Sequence, residues 1–184
     1  MELLSGAVNY VLSQQKDFKQ FGYNFPNFIP IDPSELVSKS HLAWCYGDLG
    51  IGMALWQAGK STNNSDWKEK GFEILLQTTQ RQQYEDSFVR DAGICHGSAG
   101  LAMIFHRMYL ETGRNEFHDA IDHWLYKSLQ KASFEDGLVG YKTFIKEEWI
   151  CDYSLLNGIS GIGLVLLTCL EDDKQNYDEM FLLS

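Results

Sequence analysis

Two cysteines and one histidine in this sequence stand in settings that suit metal chemistry. Cys95 and His96 are adjacent, and in the stretch 92–100 they are followed by glycines that open a helix. Cys45 lies in a similar stretch, 44–50, again two residues before a glycine. Two thiolates and one imidazole form a suitable ligand set for zinc, and a catalytic zinc commonly keeps its fourth position for water or substrate. The sequence therefore predicts an open zinc site made by Cys45, Cys95 and His96.

The cysteines also have an ordinary structural interpretation. Cysteine is among the most buried residue types without any metal, so a cysteine taken alone would be assigned to the core. The repeated glycine frame favours zinc for Cys45 and Cys95. Cys151 and Cys169 lack that frame, and we expect both to be core residues.

Composition and charge limit the classes of protein and of partner. The chain has 184 residues, of which 45% are hydrophobic, so it can bury a core, and we expect a single domain over residues 1–184. The net charge of −10 argues against nucleic acid or an anionic membrane as a partner, because both would be repelled. No apolar run reaches the roughly 20 residues of a membrane span, and no secretory signal is visible. We therefore expect a cytoplasmic protein whose cysteines stay reduced.

Hydrophobic periodicity predicts helices that alternate between buried and surface positions. Residues 2–18 fit an amphipathic helix, and 21–33, which holds all three prolines, predicts a loop. From about Gly47 we expect a helix that is apolar nearly all round and buried on every side, followed by an amphipathic helix that starts near Ser65. The same order then repeats, with an apolar helix after Gly97 and an amphipathic helix behind it.

A glycine frame repeats three times along the chain. The pattern Gly-x-x-Gly begins at Gly47, Gly97 and Gly158, each time before an apolar helix, which predicts a series of helical hairpins. Because glycine disfavours a helix by about 1 kcal/mol relative to alanine, we expect a packing demand, and we interpret it as close approach of helix N-termini around a shared centre. Before the third copy, residues 137–145 alternate like a short strand that we expect to pair with 148–151.

The three motifs, taken together and in this order, resemble the lanthionine synthetase C-like family. They are Trp44-Cys45-Tyr46-Gly47-Asp48, Ile94-Cys95-His96-Gly97 and Leu156-Asn157-Gly158-Ile159-Ser160-Gly161. The tail 177–184 is also similar to the family's ending. The resemblance covers essentially the whole chain, whereas the chain covers only the C-terminal part of the family's length. It implies an all-α fold, an α,α-toroid of inner and outer helices, of which this chain would be a partial toroid.

The resemblance also implies an activity, a cofactor and a substrate. The family's reaction adds a cysteine thiol of a precursor peptide to dehydroalanine or dehydrobutyrine to form a thioether ring, and zinc activates the thiol. Carried over by position, the zinc ligands would be Cys45, Cys95 and His96. The family often has an arginine four residues before the first zinc cysteine, and this chain has His41 there. As an imidazolium, His41 can donate a proton to a thiolate or an enolate, although a loop histidine is more often only solvated.

Part of the family's pattern has no counterpart in these residues. The family's acid/base histidine and an aspartate belong to earlier repeats, so we expect this chain alone to be a poor cyclase. We expect it to work with the missing N-terminal half or as a homo-oligomer. Three functions remain open: a zinc-dependent cyclase, an inactive zinc-bearing module that binds peptides, and a helical fragment without metal.

Other polar residues near the motifs have structural interpretations. Asp48 is expected to cap a helix or to interact with its dipole, and Tyr46 is expected to pack. We expect His106, His118 and His123 to be surface or structural residues, and the acidic run 171–173 to be a solvated helix end.

Overall fold

The computed structural model describes residues 2–32, 34–170 and 176–183, and these are mostly helical. The helices are α1 (Glu2–Ser13), α2 (Phe18–Phe21), α3 (Gly47–Thr62), α4 (Ser65–Thr78), α5 (Tyr84–Ser87), α6 (Ser98–Thr112), α7 (Asn115–Gln130) and α8 (Ile159–Leu170). Two short strands, β1 (Thr143–Ile145) and β2 (Glu148–Ile150), precede α8, and a 3-10 helix (Asn176–Phe181) follows it. The acidic run 171–173 lies outside the described residues.

The long helices pair as the glycine repeat predicts. The helix α3 packs along α4, α6 packs along α7, and α8 packs on α6. Asn63 ends α3 in the left-handed conformation, and the side chain of Asn64 caps α4 by accepting the Trp67 N–H at 3.1 Å. Gly113 ends α6 in the same left-handed conformation. These caps satisfy main-chain groups at the turns, so each pair forms a tight helical hairpin.

Helix α6 is the centre of the core. Its residues from Ser98 to Phe105 are all buried, and the largest apolar cluster joins α6 to α3, α4, α7 and α8. The ring of Phe105 stacks on that of Phe117 in α7, with centroids 6.2 Å apart. Full burial of a side chain of this size contributes about 1.5–3 kcal/mol. The prediction of a helix buried on every side is therefore correct for the second repeat.

Helix α3 departs from that prediction. Met53 and Trp56 pack into the core, whereas Ala54 is exposed and Ile51 and Gln57 are half-buried. The open side of α3 borders cavities under α1 and under the C-terminal segment. A helix that is apolar all round is thus buried on every side only where neighbours surround it, and among the described residues part of this side of α3 faces cavities.

The first helix is shorter than predicted. It ends at Ser13 and does not reach Phe18, because Asp17 starts a separate helix. The Asp17 carboxylate accepts the Lys19 N–H at 2.9 Å, which is the capping bond of α2. Val8 of α1 packs with buried residues of α3 and α4, so α1 covers the first hairpin.

The predicted β-hairpin is present in a shorter form. Strands β1 and β2 pair antiparallel, with Thr143 opposite Ile150. Lys146 and Glu147 join them, and both have positive φ, as in the tight turns that match strand twist. Residues 137–142 form turns ahead of β1, so only the end of the predicted strand is extended.

Large apolar side chains are exposed on the first and last long helices. They are Leu3, Leu4 and Tyr10 of α1 and Leu167 and Leu170 of α8. Such patches favour association, and self-association of this chain stays a prediction. Within the part of the chain that the structure describes, no helix is long and apolar enough to cross a membrane.

Candidate metal centre

The three glycine motifs lie side by side and are joined by main-chain hydrogen bonds. The Trp44 N–H donates to the Cys95 carbonyl at 2.9 Å, which ties the first motif to the second. The N–H groups of Ile94 and Cys95 both donate to the Leu156 carbonyl, each at 2.9 Å, which ties the second motif to the third. A buried main-chain group left unpaired costs about 1–3 kcal/mol. These bonds therefore hold the turn of Cys45 against the turn of Cys95.

The second glycine of each motif is required by its own turn. Its α-carbon packs on a carbonyl oxygen of the turn before the helix, where a β-carbon would overlap that oxygen. The pairs are Gly50 with Trp44, Gly100 with Ile94 and Gly161 with Leu155. This packing demand lies within each motif, whereas we had expected it between helix N-termini. Close approach between motifs occurs at Gly93, where a β-carbon would lie 2.8 Å from the carbonyl oxygen of Asn157.

The side chains of Cys45 and Cys95 interact directly. A hydrogen bond from the Cys95 thiol lowers the pKa of Cys45 to about 6, and the same bond raises the pKa of Cys95. Partial burial opposes the effect on Cys45, and the nearby His96 supports it. The pair therefore favours one thiolate, stabilised by its neighbouring thiol. The structure brings together two of the three predicted ligands.

The imidazole of His96 faces a buried carboxylate. Its Nε2 lies 3.5 Å from Oδ2 of Asp91, and the interaction with Asp91 raises the pKa of His96. The Asp91 carboxylate also accepts the N–H groups of Gly93 at 3.1 Å and Phe144 at 3.0 Å. A carboxylate on one ring nitrogen is the usual partner of a metal-binding histidine, whose other nitrogen is the ligand.

The types of the three side chains suit zinc, but their arrangement does not yet form a ligand set. Among the described residues, no group of three or more His, Cys, Asp or Glu side chains is positioned to hold a metal ion. Thiolate and imidazole are the ligands that zinc prefers in proteins. His96 is close enough to Cys45 to influence its pKa. The residues present therefore fit the predicted metal by their chemistry, and their assignment as ligands stays a proposal.

His41 lies at the edge of this site between two aromatic rings. Its ring centroid is 5.0 Å from that of Phe88 and 6.0 Å from that of Tyr46. Burial lowers the pKa of His41, and neighbouring cations, Arg90 first among them, lower it further. The neutral imidazole is therefore favoured over the imidazolium that the sequence suggested, and it still carries one N–H donor.

Tyr46 is partly exposed beside the two sulfurs. Burial raises the pKa of its phenol, and the charges of Cys45 and Cys95 raise it further. The phenol therefore stays protonated and is a hydrogen-bond donor at neutral pH. Tyr46 also lines an apolar cavity of about 200 Å³ with Phe25 and Ile51, but at 39% exposure it is packed less fully than the sequence led us to expect.

A larger apolar cavity of about 440 Å³ opens beside Cys45. Its walls come from one side of α3 and from the C-terminal segment 181–183. The Trp44 indole donates to the Phe181 carbonyl at 2.9 Å, and the Gln57 amide donates to the Leu183 carbonyl at 2.5 Å. Nothing in the sequence signals this cavity, because it depends on contacts between residues far apart in the chain.

Asp48 anchors the turn that carries Cys45. Its buried carboxylate accepts the N–H groups of Asn24 at 2.9 Å and Phe25 at 2.8 Å. It also lies 3.0 Å from the guanidinium of Arg81, which donates further hydrogen bonds to main-chain carbonyls. Asp48 thus lies in the first turn of α3, but its carboxylate oxygens accept hydrogen bonds from the preceding loop and from Arg81.

Comparison with known proteins decides the family. Residues 1–182 match the family model described as lanthionine synthetase C-like protein. This chain belongs to the lanthionine synthetase C-like family. Among solved structures, nisin cyclase is similar, with 24% sequence identity and a TM-score of 0.60, over 84% of this chain and 34% of nisin cyclase. That likeness supports the paired-helix fold, and the chain spans about a third of the length of nisin cyclase.

In this lanthionine synthetase C-like chain, two residues that position the site did not stand out in the sequence. Arg81 and Asp91 lie outside the glycine motifs, and an isolated arginine or aspartate is usually a surface residue. Both are buried here, at 2% and 1% exposure. The sequence offered one clue to the role of Asp91, which is its position directly before the stretch 92–100.

Proposed function

We propose that this protein is the zinc-binding part of a cyclase that forms thioether rings in a precursor peptide. The observation that carries the proposal is that main-chain hydrogen bonds join the three motifs and hold the turn of Cys45 next to the turn of Cys95 and His96. Family membership supports the same conclusion. In this proposal the paired helices are part of an α,α-toroid. Residues 1–184 form a single domain that is the C-terminal part of this toroid.

The proposed reaction adds a thiol across a carbon–carbon double bond. The sulfur of a peptide cysteine bonds to the β-carbon of dehydroalanine or dehydrobutyrine, and a proton is added to the α-carbon. No oxidant or reductant is consumed, because the thiol's proton balances the one added to carbon. Zinc, held by Cys45, Cys95 and His96, would lower the pKa of the peptide thiol.

The chain's own residues orient the reacting groups. The main-chain bonds between the motifs keep the two cysteines in place, and Asp91 orients the imidazole of His96. His41 and Tyr46 lie beside the thiols with one N–H and one O–H donor. His41 can give a proton to the reacting carbon only as an imidazolium, which burial and Arg90 disfavour. We therefore expect most of the proton donor's contribution, roughly 10²–10⁴-fold in rate, to come from the family's earlier repeats.

The cavity beside Cys45 is proposed to hold the peptide. Its lining is mostly apolar, from Met53 and Ala54 of α3 and from Phe181 and Leu183. At about 440 Å³ it is large enough for an apolar side chain next to the reacting cysteine. Holding that neighbour would fix the position of the thiol, and orientation is a large part of the rate of such reactions.

A partner that extends the ring of helices is part of the proposal. The chain spans about a third of nisin cyclase, and apolar side chains are exposed on α1 and α8. Further helical hairpins, from an N-terminal half of the family's fold or from a second copy of this chain, would cover those faces and enclose the site. Sedimentation at several concentrations tests the second-copy version.

Zinc content is the first test. Protein purified without chelator is expected to hold about one zinc per chain, because two thiolates and one imidazole suit an open zinc site. Cys95→Ser should lose this zinc, measured by elemental analysis and by competition with a chromophoric chelator. Cys151→Ser is the matched control, since Cys151 is also a free cysteine but lies outside the motifs; it is exposed, so the prediction that it is a core residue was wrong. Zinc retained by Cys95→Ser, or missing from the unaltered protein at neutral pH, contradicts the ligand assignment.

Ring closure is the second test. A dehydrated peptide with one cysteine keeps its mass when the ring closes but loses its free thiol, so alkylation followed by mass spectrometry counts the closed rings. Zinc-dependent loss of the thiol supports the cyclase. Zinc binding together with peptide binding, but with no ring closure in the presence of a full-length relative's N-terminal half, identifies a peptide-binding module instead.

A further inference from the structure

We propose that the cavity beside Cys45 selects the peptide by the residue next to its reacting cysteine, and that Ala54 and the C-terminal segment 181–183 set this selection. The selection presupposes the proposed cyclase function and adds the substrate class. That class is a peptide in which leucine, or an apolar residue of similar size, adjoins the cysteine. Two features support it, which are the composition of the two cavity walls and the contacts that fix one wall against the turn of Cys45.

The α3 wall of this cavity offers a position where size can vary. Four residues of α3 line the cavity: Gly50, Met53, Ala54 and Gln57. Their spacings of three and four residues place them on one face of the helix. Gly50 cannot carry a side chain, because a β-carbon there would lie 2.5 Å from the Trp44 carbonyl oxygen. Met53 is buried in the core, whereas Ala54 is small and exposed, so its size determines how much room the cavity offers.

The opposite wall is the C-terminal segment 181–183, and Trp44 fixes it against the metal-site turn. The Trp44 indole donates to the Phe181 carbonyl at 2.9 Å, and the two rings meet edge to face with centroids 5.9 Å apart. Trp44 directly precedes Cys45 in the chain. The wall and the sulfur of Cys45 therefore share one support, which keeps the distance between them constant.

Two further contacts hold this segment in place. The Gln57 amide donates to the Leu183 carbonyl at 2.5 Å. Ahead of the wall, Asp178 forms an ion pair with Arg107 of α6 at 2.5 Å, and the two side chains are 5% and 12% exposed. Asp178 does not itself line the cavity. A change at Asp178 therefore loosens the wall but leaves the lining residues unchanged.

The lining favours an apolar side chain over a charged one. Among the described residues that line the cavity, none is Asp, Glu, Lys or Arg. A charged side chain placed there would lose its water without gaining a partner, whereas leucine would exchange water for apolar contacts. Because Cys45 belongs to the same lining, the side chain that enters the cavity is the one adjoining the peptide sulfur. Glycine at that position gains nothing from the cavity.

The test measures peptide binding to the full chain in the presence of zinc, by calorimetry. Three short peptides with capped ends are compared: one with glycine on both sides of the cysteine, one with leucine before it and one with leucine after it. The better leucine peptide should bind roughly tenfold more tightly than the glycine peptide, as expected for an apolar pocket. Lysine in place of that leucine should abolish the advantage.

Two alanine variants of α3 separate the cavity from a general increase in apolar surface. Ala54→Leu fills the cavity, so the preference for leucine should fall to about twofold or less. Ala58→Leu is the matched control and should keep the preference of the unaltered protein. Both alanines line the neighbouring cavity under α1, but of the two only Ala54 lines the cavity beside Cys45. Leucine is a good helix former, so both variants should fold.

A third variant tests the wall. Asp178→Asn should lower the preference for leucine by about threefold, because a loosened wall must be ordered again when the side chain binds. A general loss of stability would weaken binding of the glycine and leucine peptides alike. Loss of the wall weakens binding of the leucine peptide alone, so the ratio of the two affinities separates the two effects.

Three results overturn the selection. Equal affinity of the unaltered protein for the glycine and leucine peptides means that the cavity does not receive the neighbouring side chain. A full preference in Ala54→Leu places the leucine elsewhere on the protein, and a full preference in Asp178→Asn removes the C-terminal segment from the selection. Zinc content and ring closure report on the proposed function separately. If both are found while the preference is absent, the selection alone is wrong, whereas a chain that holds no zinc contradicts the proposed function before any peptide is added.

Discussion

Replacing Asp48 by alanine should destabilise the fold through the turn that carries Cys45. The carboxylate is fully buried and 3.0 Å from the guanidinium of Arg81, whose side chain is 3% exposed. Its removal leaves that cation, and the N–H groups of Asn24 and Phe25, without this acceptor. Breaking a buried pair from one side costs about 3–5 kcal/mol. That is a large part of the roughly 5–15 kcal/mol by which native proteins are stable.

Urea unfolding followed by circular dichroism measures this free energy. The matched control is Lys60→Ala, which breaks the ion pair between Lys60 and Glu111. Their side chains are 35% and 16% exposed, respectively. We expect the control to lose less than about 1 kcal/mol. Asp48→Asn keeps one acceptor oxygen and should fall between the two. A loss for Asp48→Ala no larger than that of the control would refute the view that this carboxylate anchors the turn.

The remaining predictions concern two glycines and the C-terminal segment. Gly6 has open space around it in α1, so Gly6→Ala should raise the free energy of unfolding by about 0.5–1 kcal/mol in urea titrations. Gly100→Ala should lower it by about 1–3 kcal/mol, since the β-carbon overlaps the Ile94 carbonyl, and a neutral result would mean that the turn yields easily. Asp178→Asn weakens a contact of 2.5 Å with Arg107. It should speed proteolysis of the C-terminal segment without loss of helix signal, and equal digestion rates would contradict this role.

The sequence by itself determined the order of the helices, the hairpin and the family. Each depends on local patterns: helical periodicity, turn formers, and glycine beside a metal-ligand type. The end of α1 was missed because Asp17 caps a separate helix, a choice between two local structures that periodicity does not resolve. The open side of α3 was missed because burial depends on what packs against a helix and not on its own composition.

The candidate site was likewise predicted where local patterns carry the information and missed where packing decides. The sequence nominated Cys45, Cys95 and His96, because their types and their glycine frames are visible within a few residues. Only the tertiary structure decided that the two thiols interact, that the imidazole faces Asp91, and that a buried Arg81 supports the first turn. These contacts join residues that are distant in the chain, and the packing of α3 against α4 and of α6 against α8 brings them together. The distances between these residues depend on how the whole core packs, and no local sequence pattern encodes that packing.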